Sequence, residues 1–331
     1  VEAANDGAAT AVHPAAAPRF TAGWTTEAAS APGEEAAKLL ITAVNAGVNF
    51  YPSYSGITDL AMEFIELHNP NAYDVDLSDY YITDAVSYVS GQQLYWQIAA
   101  GLPSSYDLVG GGNYNDFTAR FPDAYTIAAG ATIVIALAGS EPFFSVYGVQ
   151  PDLELYEDGE EADDIPDLRP VFGNATDNSI YTPGRPPSSD GLPRGIPDLE
   201  EFYGEPVILF HWQEGDDLVT DVDVFMFGDE KEGNFRVSFD KTDVPFGDSR
   251  YAADTPVADQ TWYQNLDQSG ERSYTRIYGD HVELLCEPVQ RPSGSNGVSG
   301  RDETSENWPE TFVTRTTSPG VYEPQAIPDI P

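Results

Sequence analysis

The chain has 331 residues, with 55 Asp or Glu against 15 Lys or Arg and a formal net charge of −40 at pH 7. An acidic excess this large repels phosphate backbones, which proteins bind through basic patches, and so excludes nucleic acid as a partner class. The 41% hydrophobic and 12% aromatic content argues for a folded core despite the charge, and no run reaches the roughly 18 apolar residues of a membrane-crossing helix.

Self-repulsion on this scale opposes a compact state unless salt or bound cations screen it. Two settings account for the charge: a saline or divalent-rich medium, or a simple need for solubility. The chain starts at Val1 with VEAANDGAAT. No basic-then-apolar leader is present, as expected of an exported protein whose signal peptide has been removed. The expected location is extracellular or at the cell surface.

Residues 1–36 form an Ala-rich segment with Pro14, Pro18 and Pro32 and little periodicity, the composition of an arm. Phe20 and Trp24 stand out there as large apolar anchors and are the candidate interaction residues. From residue 37 to 323 the signals are those of an all-β domain. The segments LLITAV, MEFIEL, DVDL, YYIT, TIVIALA, PVILFHW, DVDVFMF, FRVSF, SYTRIY and HVELL are short, β-branched or aromatic, and bounded by turn residues. They predict about ten strands and no amphipathic helix. IAAGAT and WQEGDD predict hairpin turns, and a β-sandwich is the economical architecture. Two stretches, about 86–120 and 156–200, read as long surface insertions, and residues 324–331 as a tail.

Glu63 to Asp84 concentrates six acidic residues and one histidine in two strand-like segments. Glu66 and His68 share one strand face, and the segment is expected to form the solvated polar side of the sandwich. In DVDVF, Asp221 and Asp223 alternate with valines, which predicts a half-buried strand with both carboxylates on the wet face.

The chemistry of catalysis is hard to assemble from this sequence. His13, His68, His211 and His281 are scattered and form no zinc motif, and neither a nucleophile elbow nor a phosphate-binding loop occurs. The chain is expected not to be an enzyme. Cys286, the only cysteine, reads as a small buried hydrophobe. Calcium takes oxygen ligands from acidic loops, and the densest set is Asp158, Glu160, Glu161, Asp163 and Asp164, followed by Asp221, Asp223, Asp229 and Glu230. The first set are the metal candidates. Neither set follows the spacing of an EF-hand loop, and no cofactor is required. Asn174-Ala175-Thr176 is a glycosylation sequon. The aromatics of YVSGQQLYWQ, 88–97, suit either core packing or a sugar-stacking platform.

The order of these segments resembles the lamin-tail domain. EFIELHNP, then VDLSDYYITDA, then YTIAAGATIVIALAG match its opening strands and turns. GEPVILFHWQEGDDLVTDVDVFMFG, RYAADTPVADQ, SYTRIYG and NGVSGRDETSENWPETF are similar to the longer form carried by secreted bacterial proteins. Asp79 stands where the family often has glycine, which puts that turn's geometry in question. The resemblance implies an immunoglobulin-like β-sandwich without catalytic residues, acting as a structural or interaction module. The expected function is therefore a non-enzymatic subunit of an extracellular or cell-surface filament or layer, self-associating or binding other extracellular proteins through its arm, laid as a strand on a neighbour's sheet edge, and through the tail SPGVYEPQAIPDIP. The alternative is a calcium-dependent adhesin that binds surface polysaccharide.

Overall fold

The computed structural model describes residues 36–47, 61–84, 93–100, 117–155, 164–171, 199, 204–228, 238–264, 272–277 and 302–325. In chain order the strands begin with β1 (Leu40–Asn45), β2 (Phe64–His68), β3 (Val75–Asp76), β4 (Tyr80–Thr83) and β5 (Thr118–Arg120). There follow β6 (Thr126–Ile127), β7 (Thr132–Ala136), β8 (Leu153–Glu154), β9 (Arg169–Pro170), β10 (Glu205–His211) and β11 (Thr220–Phe227). The last are β12 (Pro245–Phe246), β13 (Ser249–Arg250), β14 (Arg272–Arg276) and β15 (Phe312–Thr316). Two helices, α1 (Ser140–Tyr147) and α2 (Trp308–Thr311), and 3-10 turns at Tyr95–Ala100, Val257–Asp259 and Glu303–Ser305 complete the described elements.

These strands make a predominantly β protein with two main sheets. The first runs β15-β14-β1-β2-β7-β8 and the second β11-β10-β4-β5-β9. Every pair in them is antiparallel except β7 with β8. Alternation along the strands turns Ile41, Val44, Ile65, Leu67, Ile133 and Ile135 of the first sheet toward one side. They share a single apolar core with Ile82, Val207, Leu209, Phe225 and Phe227 of the second. That shared core is the direct consequence of the β-branched and aromatic runs legible in the sequence.

Both outer faces are covered as well. Over the first sheet, Phe143 and Tyr147 of α1 pack edge-on against Phe64, with ring centroids 5.9 and 5.8 Å apart. Farther along, residues 318–325 cross the same face, so the described part of the tail expected to reach a neighbour is a strap on its own sheet, with Gly320 N bonded to Glu66 and Gln325 N to Ile277 O. Over the second sheet lie Tyr95 and Trp96 of the first 3-10 turn, together with Phe239 and Tyr251. The surfaces that alternation assigns to water are therefore interior.

The two flanks are closed by segments that pass from one sheet to the other. On one side the Tyr263 N–H donates to Met226 O at 2.8 Å and Tyr263 O accepts from Gly228 N at 3.0 Å, extending the β11 edge. The same tyrosine's hydroxyl accepts from the Thr314 N–H of edge strand β15 at 3.0 Å. On the opposite side, Glu154 N donates to Pro166 O and Leu168 N to Glu154 O, after which the chain joins β5 as β9. Occupied edges are what a β protein needs to avoid unintended strand pairing.

Several expectations change here. An eight-residue helix exists at Ser140–Tyr147, where none was anticipated; its apolar contacts come from one short i, i+4 pair, Phe143 and Tyr147. β5 and β9 arise inside the stretches read as insertions and are strands of the second sheet. WQEGDD does turn the β10–β11 hairpin, with Gly215 at φ 105°. IAAGAT instead links β6, paired with β3, to β7, paired with β2, so it carries the chain between sheets. Ser238 and Phe239 of FRVSF are not in a strand, and HVELL lies outside the described residues. Asp79 needs no left-handed backbone, since the non-glycine residues with positive φ are Ala124 and Asp243 among the described residues. Its turn closes through Tyr80 N to Leu77 O, 3.0 Å. No helix among the described residues is long and apolar enough to cross a membrane.

Candidate functional site

The chemistry-bearing residues gather around β11. The β10–β11 register shifts between Leu209 and Phe210, which face Asp223 and Asp221 respectively, leaving Val222 as an extra residue. A bulge reverses the side-chain alternation. Asp221 and Asp223, two apart in sequence, therefore point to opposite faces of the sheet. The expected pair of solvated carboxylates is corrected: Asp221 is 0% and Asp223 1% exposed, because both faces of this sheet are covered.

Asp223 points into the core between the sheets. Both of its oxygens accept from Arg276 Nη2 at 2.7 Å, and Arg276 Nη1 donates to Glu306 Oε1 at 3.0 Å. A second register shift, in β1 between Ile41 and Ala43, frees the Ile41 peptide from the ladder. Ile41 N donates to Asp223 Oδ2 at 2.6 Å, and Arg276 Nε donates to Ile41 O at 2.9 Å. One guanidinium thus ties β1, β11, β14 and the Asp302–Glu306 turn together across the core. Burial alone lowers the Arg276 pKa, but Asp223 and Glu306 outweigh it and hold the group charged. Asp223, Glu303 and Glu306 also offer carboxylate oxygens within 4.8 Å of one another, an arrangement with the donor chemistry for a metal. The guanidinium already supplies the positive charge there, and a dication beside it would be repelled.

Asp221 points outward, under the third layer. Its Oδ2 accepts from Lys241 Nζ at 2.7 Å and its Oδ1 from the Tyr95 hydroxyl at 2.6 Å. Asp254 is the second carboxylate at the ammonium, its two oxygens 3.4 and 3.3 Å from Nζ. Phe239 approaches Nζ to 4.7 Å from its ring centroid, and Tyr95, Trp96 and Tyr251 stand at 5.6–5.9 Å. Burial raises the Asp221 pKa, with Lys241 opposing. For Lys241 burial works downward, but the two carboxylates prevail and keep the resting group an ammonium.

On the outer face of the first sheet, Glu66 is 1% exposed rather than solvated. It accepts from the Thr42 hydroxyl at 2.7 Å and from Gly320 N at 2.8 Å, the latter in the segment that straps this face. Burial raises its pKa. His68 packs at a tilt against Tyr322 of the same strap, ring centroids 5.1 Å apart, and contacts Thr132 Oγ1 at 3.0 Å; burial lowers its pKa. Under the strap lies a small polar cleft of about 150 Å³ bordered by Ser273, Thr275, Arg315 and Glu323.

Of the calcium candidates, Asp164 is exposed, and Asp158, Glu160, Glu161 and Asp163 lie outside the described residues. The arm residues Phe20 and Trp24 also lie outside them, as do Asp229, Glu230, Cys286 and the sequon. Tyr95 and Trp96 are core residues, 0% and 5% exposed, which settles the packing alternative for that part of 88–97. Sequence reasoning missed Lys241, Asp254, Arg276 and Glu306. A usable signal was present: lysine is rare here, and Lys241 follows an aromatic strand-like run in FRVSFDKTD.

No family model matches the chain, and no curated protein does. Among solved structures it is similar to a DUF4876 family protein from Bacteroides thetaiotaomicron, at 13% identity and a TM-score of 0.40, over 85% of this chain and 68% of that one.

Proposed function

We propose that the chain is a non-enzymatic structural and interaction module of an extracellular or cell-surface assembly, built on an immunoglobulin-like sandwich of the lamin-tail type. The observation that supports this most is where the charge chemistry sits. Lys241 and Arg276 are buried as braces between layers, with the carboxylates around them engaged in the same networks. Arg120 and Arg169 are bound to Asp79 and Asp123. With these four cations committed in a chain of net charge −40, acidic groups are left in excess, which suits recognition by contact.

The contact in this proposal runs through the arm, with Phe20 and Trp24 as anchors on a neighbouring subunit. In this mode the arm lies as an added strand on a sheet edge of the neighbour, with backbone hydrogen bonds supplying affinity and pockets for Phe20 and Trp24 supplying specificity. Deleting residues 1–30 is expected to abolish assembly, followed by electron microscopy and light scattering, while circular dichroism still reports a folded monomer. Assembly unchanged by the deletion would overturn the proposal. The same preparations run with calcium and with a chelator separate the alternative: chelator-sensitive glycan binding without self-assembly would identify an adhesin.

A further inference from the structure

The Lys241 cluster has the geometry of a reaction as well as of an ion pair. We infer that, once folded, the chain condenses the Lys241 side-chain amine with the Asp254 carboxyl to form an internal amide, with Asp221 as the proton carrier. This goes beyond the proposed function and does not depend on it.

Three observations carry the assignment. The first is that one amine is paired with two unlike carboxyls. Nζ is shared between the two oxygens of Asp254 in a loose bifurcated contact, at 3.4 and 3.3 Å, which keeps the amine beside that carboxyl without a short bond to either oxygen. Asp221 is placed differently, with a single 2.7 Å hydrogen bond from Nζ to Oδ2, which is proton-acceptor geometry.

The second is that both carboxyls are held. Asp254 Oδ2 accepts from the Lys241 backbone N–H at 2.5 Å, and Asp254 N donates to Thr242 Oγ1 at 3.1 Å. Asp221 Oδ1 is fixed by the Tyr95 hydroxyl at 2.6 Å. Reactants held side by side by the fold gain the rate advantage of an intramolecular reaction.

The third is dryness. Lys241 and Asp221 are 0% and Asp254 1% exposed, inside a ring of aromatic side chains. Exclusion of water weakens the preference for separated charges and favours an amide over its hydrolysed parts.

The chemistry balances within the cluster. A proton moves from the Lys241 ammonium along the short bond to Asp221 and on to an oxygen of Asp254, giving a neutral amine and a carboxylic acid. The amine lone pair attacks Cγ of Asp254, forming the N–C bond and a tetrahedral centre. Asp221 takes the proton released from nitrogen and delivers it to the departing hydroxyl. The C–O bond breaks, water leaves, and Asp221 is again a carboxylate. The cluster keeps its net charge, and no oxidant or co-reactant is needed.

Intact mass spectrometry of the full chain, denatured after purification in the folded state, tests this directly. The expected mass is that of the sequence less one water, with a peptide map showing residues 241 and 254 in one linked peptide and no tryptic cleavage after Lys241. Lys241→Arg and Asp254→Ala are expected to restore the full mass, and Asp221→Ala to leave the bond unformed. A folded wild-type chain that keeps its full mass on long incubation would overturn the inference. So would a link mapped to Asp221, or loss of water in Asp254→Ala. The wild-type mass and peptide map decide the matter even if no variant folds.

Discussion

Arg276 shows how much one side chain can carry. Removing one partner of a buried ion pair leaves a charge without compensation and costs about 3–5 kcal/mol. Arg276→Met, which keeps much of the apolar stem, is therefore expected to lower the unfolding free energy by about that amount in urea titrations. Arg276→Lys is expected to rescue only a minor part, because a single ammonium cannot reach Asp223, Glu306 and Ile41 O at once. A second residue-scale constraint lies at the base of the β10–β11 hairpin. A Cβ at Gly228 would stand 2.2 Å from Gly204 Cα, and Gly228 has φ 149°. Gly228→Ala must push the two backbones apart and is expected to destabilise by about 2 kcal/mol or more, read as a fall in melting temperature.

Strand β2 and the strap over it respond to pH in two directions. The Glu66 carboxyl is raised from its ordinary 4.5 by burial, so the folded state holds the proton more firmly than the unfolded chain. Its contribution grows as pH falls through the raised value and levels off below 4.5. His68 is lowered from 6.5 by burial, so its contribution is complete above 6.5 and is lost as pH falls from there through the lowered folded value. Glu66→Gln is expected to make the wild-type gain relative to the variant on acidification from about pH 8 to about pH 4.5, measured by chemical denaturation at each pH. A wild type that instead loses ground to the variant would contradict the assignment. At the far end of the same face, Ser140 N at the start of α1 donates to Glu154 Oε2 at 2.5 Å, and Gly148 closes the helix at φ 69°. A carboxylate at a helix N-terminus is favoured by both the free N–H groups and the helix dipole. Phe143, 1% exposed, is the helix's anchor on Phe64, and Phe143→Ala is expected to cost about 3–5 kcal/mol.

For the molecule as a whole, a net charge of −40 is set against braces that lie inside it. Salt screens exposed charges far more than buried pairs, and the Debye length falls from about 10 Å to about 3 Å between 0.1 M and 1 M. The melting temperature is therefore expected to rise over that range, with surface repulsion relieved and the Arg276 and Lys241 networks left intact. A fall with salt would mean that exposed ion pairs dominate stability. The closure of both flanks has its own consequence, because β11 and β15 share Tyr263 as a cover. Tyr263→Ala keeps the backbone bonds to β11 but removes the hydroxyl that covers Thr314 N, so it opens the β15 edge, and aggregation under native conditions is its expected signature.

The sequence by itself determined the strand chemistry, the β10–β11 hairpin and the charge, since each rests on local preference or on simple counting. LLITAV, PVILFHW and SYTRIY needed no context to be read as strands. Sequence could not determine which strand faces would be wet, since that depends on what covers them. Glu66 and Asp221 looked solvent-facing by alternation, but α1, the strap and the 238–264 layer arrive from distant parts of the chain. Nor could sequence show the bulges in β1 and β11, which have no composition signal and yet decide where Asp221 and Asp223 point. Tertiary structure alone brought Lys241 between two aspartates in a dry aromatic pocket. The physical reason is that burial turns a surface charge into one that must find a partner.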